Sequence, residues 1–189
     1  MKFVEDVFSQ THEIKKSKFI AHIIPYNLFD ITMKNLHKTH SKGRHFVYAY
    51  RYINEFNQVV ENSSDDGEPK GTSGKPSLSV LRGANIINSA VIIVRYFGGI
   101  KLGTGGLVRA YSEAVNLVLE NATLYTYKKL ETKKLTINYD MLGQIQYLLN
   151  QNNINILNKE FTSNVTLPLE ATSEEFDNIK TLFPLGIGF

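Results

Sequence analysis

One segment constrains the fold more than any other: residues 88–120, NSAVIIVRYFGGIKLGTGGLVRAYSEAVNLVLE. Its first part is a short continuous apolar run, the pattern of a buried strand. Its last part places Leu107, Tyr111, Ala114 and Val118 at i, i+4, i+7 and i+11, with Ala110 and Leu117 beside them. Arg109, Ser112, Glu113, Asn116 and Glu120 take the other side, so this part reads as an amphipathic helix. Between strand and helix stand Gly98, Gly99, Gly103, Gly105 and Gly106, five of the chain's thirteen glycines.

Upstream, the alternation of Ile14, Lys16, Lys18, Ile20, His22 and Ile24 predicts one long strand that stops near Pro25. Phe29, Met33 and Leu36 fall at helical spacing, with Gly43 as a stop. RHFVYAYRYI is rich in aromatic and β-branched residues and reads as a strand. ENSSDDGEPKGTSGKPS is the most polar stretch and reads as a loop. In PSLSVLRGAN, Pro76 suits a helix's first turn, and Leu78, Val80 and Leu81 give it an apolar side.

A second unit begins near Tyr127. KKLETKKLTINYD reads as a strand, MLGQIQYLLNQNN as a helix, and INILNKEF and SNVTLPLE as two strands. SEEFDNIKTLF reads as a helix with Ser173 as N-cap. The order β-α-β-β-α predicts a ferredoxin-like sandwich. Its last strand would come from residues 184–189, which are few, so that strand is missing or supplied elsewhere. The expected boundaries are 1–127 and 128–189, and the expected class is α+β.

With 42% hydrophobic and 21% charged residues the chain can build a core without staples. It has no cysteine, which excludes disulfides, thiol catalysis and thiolate zinc sites. Its charged N-terminus is not a signal peptide, and the apolar run Ala90 to Val94 is far too short to span a bilayer. A cytoplasmic protein with no membrane partner is therefore expected. Residues 1–127 carry fifteen Lys/Arg against eleven Asp/Glu, a net +4, whereas residues 128–189 carry six against seven, a net −1. The basic first part permits an anionic partner such as RNA.

The glycine stretch matches neither standard nucleotide motif. Gly98 and Gly103 have P-loop spacing, but Thr104 stands where lysine is required, and Val108 breaks the dinucleotide fingerprint begun by Gly103 and Gly105. The general chemistry survives, because a glycine turn before a helix exposes N–H groups at an electropositive end. Arg95, Lys101 and Arg109 could reach an anion there, or the glycines could serve only close packing while the arginines pair with local acids. Asp65, Asp66 and Glu68 in SSDDGEPKGTSGKP could hold a metal. Pairing of those acids with Arg95 or Arg109, which would order both loops, is favoured over a metal. The histidines at 12, 22, 37, 40 and 45 form no metal-ligating pattern, and no serine lies in a nucleophile motif. The aromatics of FVYAYRY could stack on bases, although alternating aromatics in a strand are commonly half core and half surface.

SDDGEPKGTSGKPSLSVL followed by VIIVRYFGGIKLGTGGLVRAYSEAV, with RHFVYAYRY ahead of both, closely resembles the YigZ/IMPACT family over essentially the whole chain. The resemblance implies a first domain with the α/β sandwich of a small-subunit ribosomal protein and of elongation factor G domain IV. It implies a ferredoxin-like second domain similar to elongation factor G domain V. Eukaryotic relatives regulate translation by competing for the activator of a starvation-responsive initiation-factor kinase, through an additional N-terminal domain. No counterpart of that domain is expected in these residues, so that partnership is not carried over.

These readings converge on a non-enzymatic, translation-linked protein contacting RNA, the ribosome or a translation factor, without sequence-specific DNA binding and without a cofactor. The expected anion-contacting set is Arg95, Gly98, Gly99, Lys101, Gly103, Thr104, Gly105, Gly106 and Arg109, extended by Arg51 and Lys75. The alternative is an enzyme on a phosphorylated or nucleotide substrate, with a metal held by Asp65, Asp66 and Glu68. A pure protein-interaction module, whose motifs only maintain the fold, is the third reading.

Overall fold

The computed structural model describes residues 1–183, and the final strand expected from residues 184–189 lies outside them. The chain forms two compact units of mixed α/β structure, divided after Tyr127.

In the first unit the elements are β1 (Lys2–Phe3), β2 (Phe8–Ile14), β3 (Ser17–Pro25), α1 (Phe29–Thr39), β4 (His45–Ile53), β5 (Val59–Ser64), α2 (Gly74–Gly83), β6 (Ser89–Tyr96), α3 (Thr104–Glu120) and β7 (Tyr125–Thr126). Five strands form an antiparallel sheet in the order β2-β3-β6-β4-β5, while β1 pairs with β7. Strand β6 is central, which is why its sequence is apolar without alternation: helices cover both of its faces. Val91 and Ile93 join Leu78, Leu81, Leu107, Tyr111 and Val118 beneath α2 and α3. Ala90, Ile92 and Val94 join Leu36 and Phe46 beneath α1.

The single long strand expected around Ile14–Ile24 is instead the hairpin β2–β3. Lys15 and Lys16 form its turn, both with positive φ (47° and 64°), and Ile14 faces Ser17. Two left-handed residues match the twist of a two-residue hairpin turn, but Lys-Lys carries no sequence signature for it. Strand β5 takes Glu61–Ser64 out of the expected loop. It is an edge strand paired only with β4, so it tolerates a polar sequence.

The second unit contains β8 (Glu131–Ile137), α4 (Leu142–Gln151), β9 (Asn155–Ile156), β10 (Glu160–Phe161), β11 (Val165–Ala171) and α5 (Ser173–Lys180). The expected strand 154–161 is broken into β9 and β10, both antiparallel to β11, whose opposite edge pairs with β8. Leu135, Ile137, Val165, Leu167 and Leu169 meet Ile145, Leu149, Phe176 and Ile179, so both helices cover one face. The N-cap of α5 is Thr172 rather than Ser173. Its hydroxyl accepts from the Glu175 N–H while the Glu175 carboxylate accepts from the Thr172 N–H, a capping box. Among the described residues no helix is long and apolar enough to cross a membrane.

Candidate functional site

The polar loop between β5 and α2 is ordered by its own acids, each with a separate task. Asp65 accepts hydrogen bonds from the N–H groups of Gly71 (2.7 Å), Ser73 (3.1 Å) and Gly74 (2.8 Å) and from the Ser73 hydroxyl (2.7 Å). It thereby caps α2 from outside the helix. Burial raises the Asp65 carboxyl, but the hydrogen bonds from Gly71, Ser73 and Gly74 outweigh it and hold it below its usual value. Asp66 grips the start of β4. Its carboxylate accepts the Phe46 N–H at 2.5 Å, and its carbonyl lies 2.7 Å from His45 Nδ1, which must therefore carry the proton.

Glu68 is 8% exposed, an expensive place for a carboxylate unless it is paired. Its Oε1 accepts from Arg95 Nη1 and, at 2.9 Å, from the Tyr111 hydroxyl, while His45 Nε2 stands 3.9 Å away. Burial, followed by the Glu68 charge and its hydrogen bond, pushes the Tyr111 hydroxyl well above the ordinary tyrosine range. The Arg95 guanidinium lies 5.3 Å from the Phe19 ring centroid and 5.7 Å from that of Phe97. Only 6% of Arg95 is exposed, so this expected anion contact is a buried ion-pair partner instead. The acids are thus committed one by one, and no group of three ligating side chains among the described residues could hold a metal.

The glycine turn divides in the same way. A Cβ on Gly98 would lie 2.1 Å from the Lys16 carbonyl carbon, and the Gly98 N–H donates to Ser17 Oγ at 3.1 Å. Gly98 therefore lets the turn close onto the β2–β3 hairpin rather than approach a ligand. Gly99 and Gly103 have positive φ (86° and 74°), which a side chain would strain. A Cβ on Gly106 would touch Leu102 at 3.0 Å. Gly105 differs: its φ is ordinary and a Cβ there would meet nothing within 4 Å.

Between the acid loop and the glycine turn lies a cleft of about 470 Å³, with Gly67, Glu68 and Pro69 on one wall and Lys101 to Thr104 on the other. Arg44, His45, Arg95, Phe97 and Leu107 complete it. No side chain caps α3, whose first intrahelical bond runs from the Leu107 N–H to the Gly103 carbonyl. The N–H groups of the preceding turn have no partner within the helix, and they open beside the cleft. Arg44 and Lys101 are exposed, and among the described residues no carboxylate stands within ion-pair distance of either. Glu68 is already matched by Arg95, so the exposed charge of the cleft is positive.

Three expected cations lie apart from the cleft. Arg51 is six positions beyond His45 on β4, roughly 20 Å at strand spacing. Its Nε donates to Glu61 at 2.6 Å and its Nη1 to the Ile86 carbonyl at 2.8 Å, so it ties β4 to the end of α2. Glu61 is shared with Arg82, whose hydrogen bonds, with those of Arg51, hold its carboxyl low against burial. Lys75 belongs to a separate shallow groove with Pro76 and Val108. Arg109 is exposed on α3, its Nε 3.4 Å from the Gly105 carbonyl. The tyrosines of FVYAYRY pack among themselves and with Tyr26 and Phe29, Tyr26 stacking on Tyr52 at 4.1 Å. Arg44, His45, Phe97 and Tyr111 were not expected at the site. Tyr111 was hidden in a helix's apolar stripe, and Phe97 was legible only as the residue touching the glycines.

Residues 15–119 match the family model of the Impact N-terminal domain, and residues 135–183 match a domain of unknown function, DUF1949. An IMPACT family member from Haemophilus influenzae is 35% identical over 172 residues, covering 88% of this chain and 84% of the relative. The chain belongs to the IMPACT family. Another relative, IMPACT family member YigZ of Escherichia coli, is 37% identical over 82% of this chain and 78% of its own. A crystal structure described as that of a hypothetical protein aligns with a TM-score of 0.64 at 29% identity, covering 99% of this chain and 94% of that one. Every residue lining the cleft falls inside the part matched by the Impact N-terminal domain.

Proposed function

We propose that this IMPACT family chain is a non-enzymatic, translation-linked binding protein of the cytoplasm that contacts RNA, free or on the ribosome, through the cleft of its first unit. The observation that carries this reading is the placement of Arg44 and Lys101, exposed and without acid partners among the described residues, beside the uncapped N-terminus of α3. Phosphate oxygens are the natural ligands of such a group, since helix N–H donors and point charges act on the same anion. Arg109 extends the positive surface along α3. The translation link rests on the family resemblance and on fold analogy. The order of 155–161, β11 and β8, with two helices on one face, supports a ferredoxin-like second unit akin to elongation factor G domain V. The five-stranded sheet of the first unit supports the likeness to domain IV of that factor and to the ribosomal protein.

The metal-dependent enzyme has no comparable support, because Asp65, Asp66 and Glu68 are each consumed by a structural bond. Filter binding of a single-stranded RNA 20-mer across a salt series tests the proposal. A linear fall of log affinity with log salt is expected. Absence of binding both to this RNA and to purified ribosomal subunits contradicts it.

A further inference from the structure

We infer that the cleft receives one unstacked nucleotide of a single-stranded RNA, with its phosphate on the first turn of α3 and its base against Phe97. This rests on the RNA-binding reading above and names the form of RNA the site accepts.

Four observations converge on it. Gly105 is the first. Glycine is a poor helix residue, and here neither a positive φ nor a close neighbour demands it. Gly105 is exposed at the helix start, next to Thr104 of the cleft lining, and leaves open space where a side chain would stand in the way of a phosphate on the first turn. The second is Phe97, 42% exposed on the cleft wall although a phenyl ring is costly to leave in water. Its ring has the Arg95 guanidinium 5.7 Å from its centroid, so it is held from the protein side and offers the cleft a prepared stacking surface.

The third is Arg95 itself. It lines the cleft, is only 6% exposed, and its Nε–H has no hydrogen-bond partner among the described residues although Nη1 is bonded to Glu68. A buried guanidinium donor without an acceptor is unusual; its charge is already matched by Glu68, and what an anion oxygen in this cleft supplies is the missing acceptor. The fourth is size. At about 470 Å³ the cleft falls in the range of small-molecule sites. A base splayed from a single strand is free to enter it, whereas a base in a duplex stays stacked and paired.

Fluorescence anisotropy with a fluorescein-labelled ten-nucleotide uridine RNA, and with a ten-base-pair RNA duplex at the same salt, tests the inference on the full chain. The single strand is expected to bind at least 10-fold more tightly than the duplex. Phe97→Ala is expected to weaken it by about 5- to 150-fold, the span of base–aromatic stacking, while Phe97→Trp retains it. Gly105→Leu is expected to weaken it at least 10-fold with no loss of melting temperature, since a Cβ there meets nothing within 4 Å and leucine is the better helix former. Wild-type affinity in both Phe97→Ala and Gly105→Leu overturns the inference and leaves salt-dependent RNA binding intact. Equal affinity for duplex and single strand overturns it as well. Failure of the wild-type protein to bind either RNA overturns the inference, and failure to bind purified ribosomal subunits as well removes the RNA-binding reading itself.

Discussion

Arg95 and Glu68, 27 residues apart in sequence, form an ion pair in which the two residues are 6% and 8% exposed. The pair joins the central strand to the acid loop, and Tyr111 brings α3 into the same contact. Its position makes the floor of the cleft electrically neutral, so the charge that faces solvent belongs to Arg44 and Lys101.

Breaking that pair from one side should cost about 3–5 kcal/mol, because the surviving charge is left buried without a partner. Arg95→Met is expected to lower thermal stability by that amount, and Arg95→Met with Glu68→Gln to recover part of it. Chemical denaturation of the two single variants and the double variant measures the coupling. Additive losses would show that the pair is not stabilising as described.

Two glycines seven residues apart should respond in opposite directions. Gly98→Ala places a Cβ 2.1 Å from backbone and should destabilise by about 3 kcal/mol or more, at the top of overpacking costs. Gly105→Ala meets nothing and should stabilise by up to about 1 kcal/mol through helix propensity. Melting temperatures of the pair decide this, and a stabilised Gly98→Ala would refute the packing assigned to the turn.

Asp65→Ala should remove the external cap of α2 and cost about 1–2 kcal/mol, as loss of a helix cap does. Because the Asp65 carboxyl is held below its usual value, this contribution is complete above the ordinary aspartate range and fades as pH falls through the lowered value. Hydrogen exchange at Gly71, Ser73 and Gly74 should accelerate in the variant. Unchanged protection at those three amides would contradict the capping role.

His22 carries the clearest acid sensitivity. Burial, and then the nearby His40, lower its pKa from 6.5 to about 4. The unfolded chain therefore binds a proton that the folded chain refuses between those values, and stability declines as pH falls from about 6.5 to 4, by up to roughly 3 kcal/mol. His22→Leu should flatten this part of the stability–pH curve relative to the wild type. Parallel curves would show that His22 does not carry the effect.

How much of this was legible from the residues follows from what each element demands. β6 and α3 announce themselves because each is covered by the core in a way that a single pattern records, an unbroken apolar run or a 3.6-residue stripe. The turn at Lys15–Lys16 does not, since lysine ordinarily avoids left-handed backbone and the pairing of Ile14 with Ser17 dictates it there. β5 escaped because an edge strand needs only one partner. The glycine and acid motifs mark the two loops that line the cleft, but spacing is blind to which charges neutralise one another. Arg95 and Arg109 look alike in sequence. One alternates inward on a central strand toward Glu68, and the other lies on the outer face of a helix.

The central claim is that the exposed cations of the cleft bind RNA phosphate, and Lys101 tests it most directly because it is solvent-facing and makes no side-chain hydrogen bond or ion pair among the described residues. The measurement is the slope of log affinity against log salt for a single-stranded RNA, wild type beside Lys101→Ala. Removing one phosphate contact should reduce the slope by about 0.7 and weaken binding at low salt, with the melting temperature unchanged. Identical slopes and affinities for the two proteins would contradict the account.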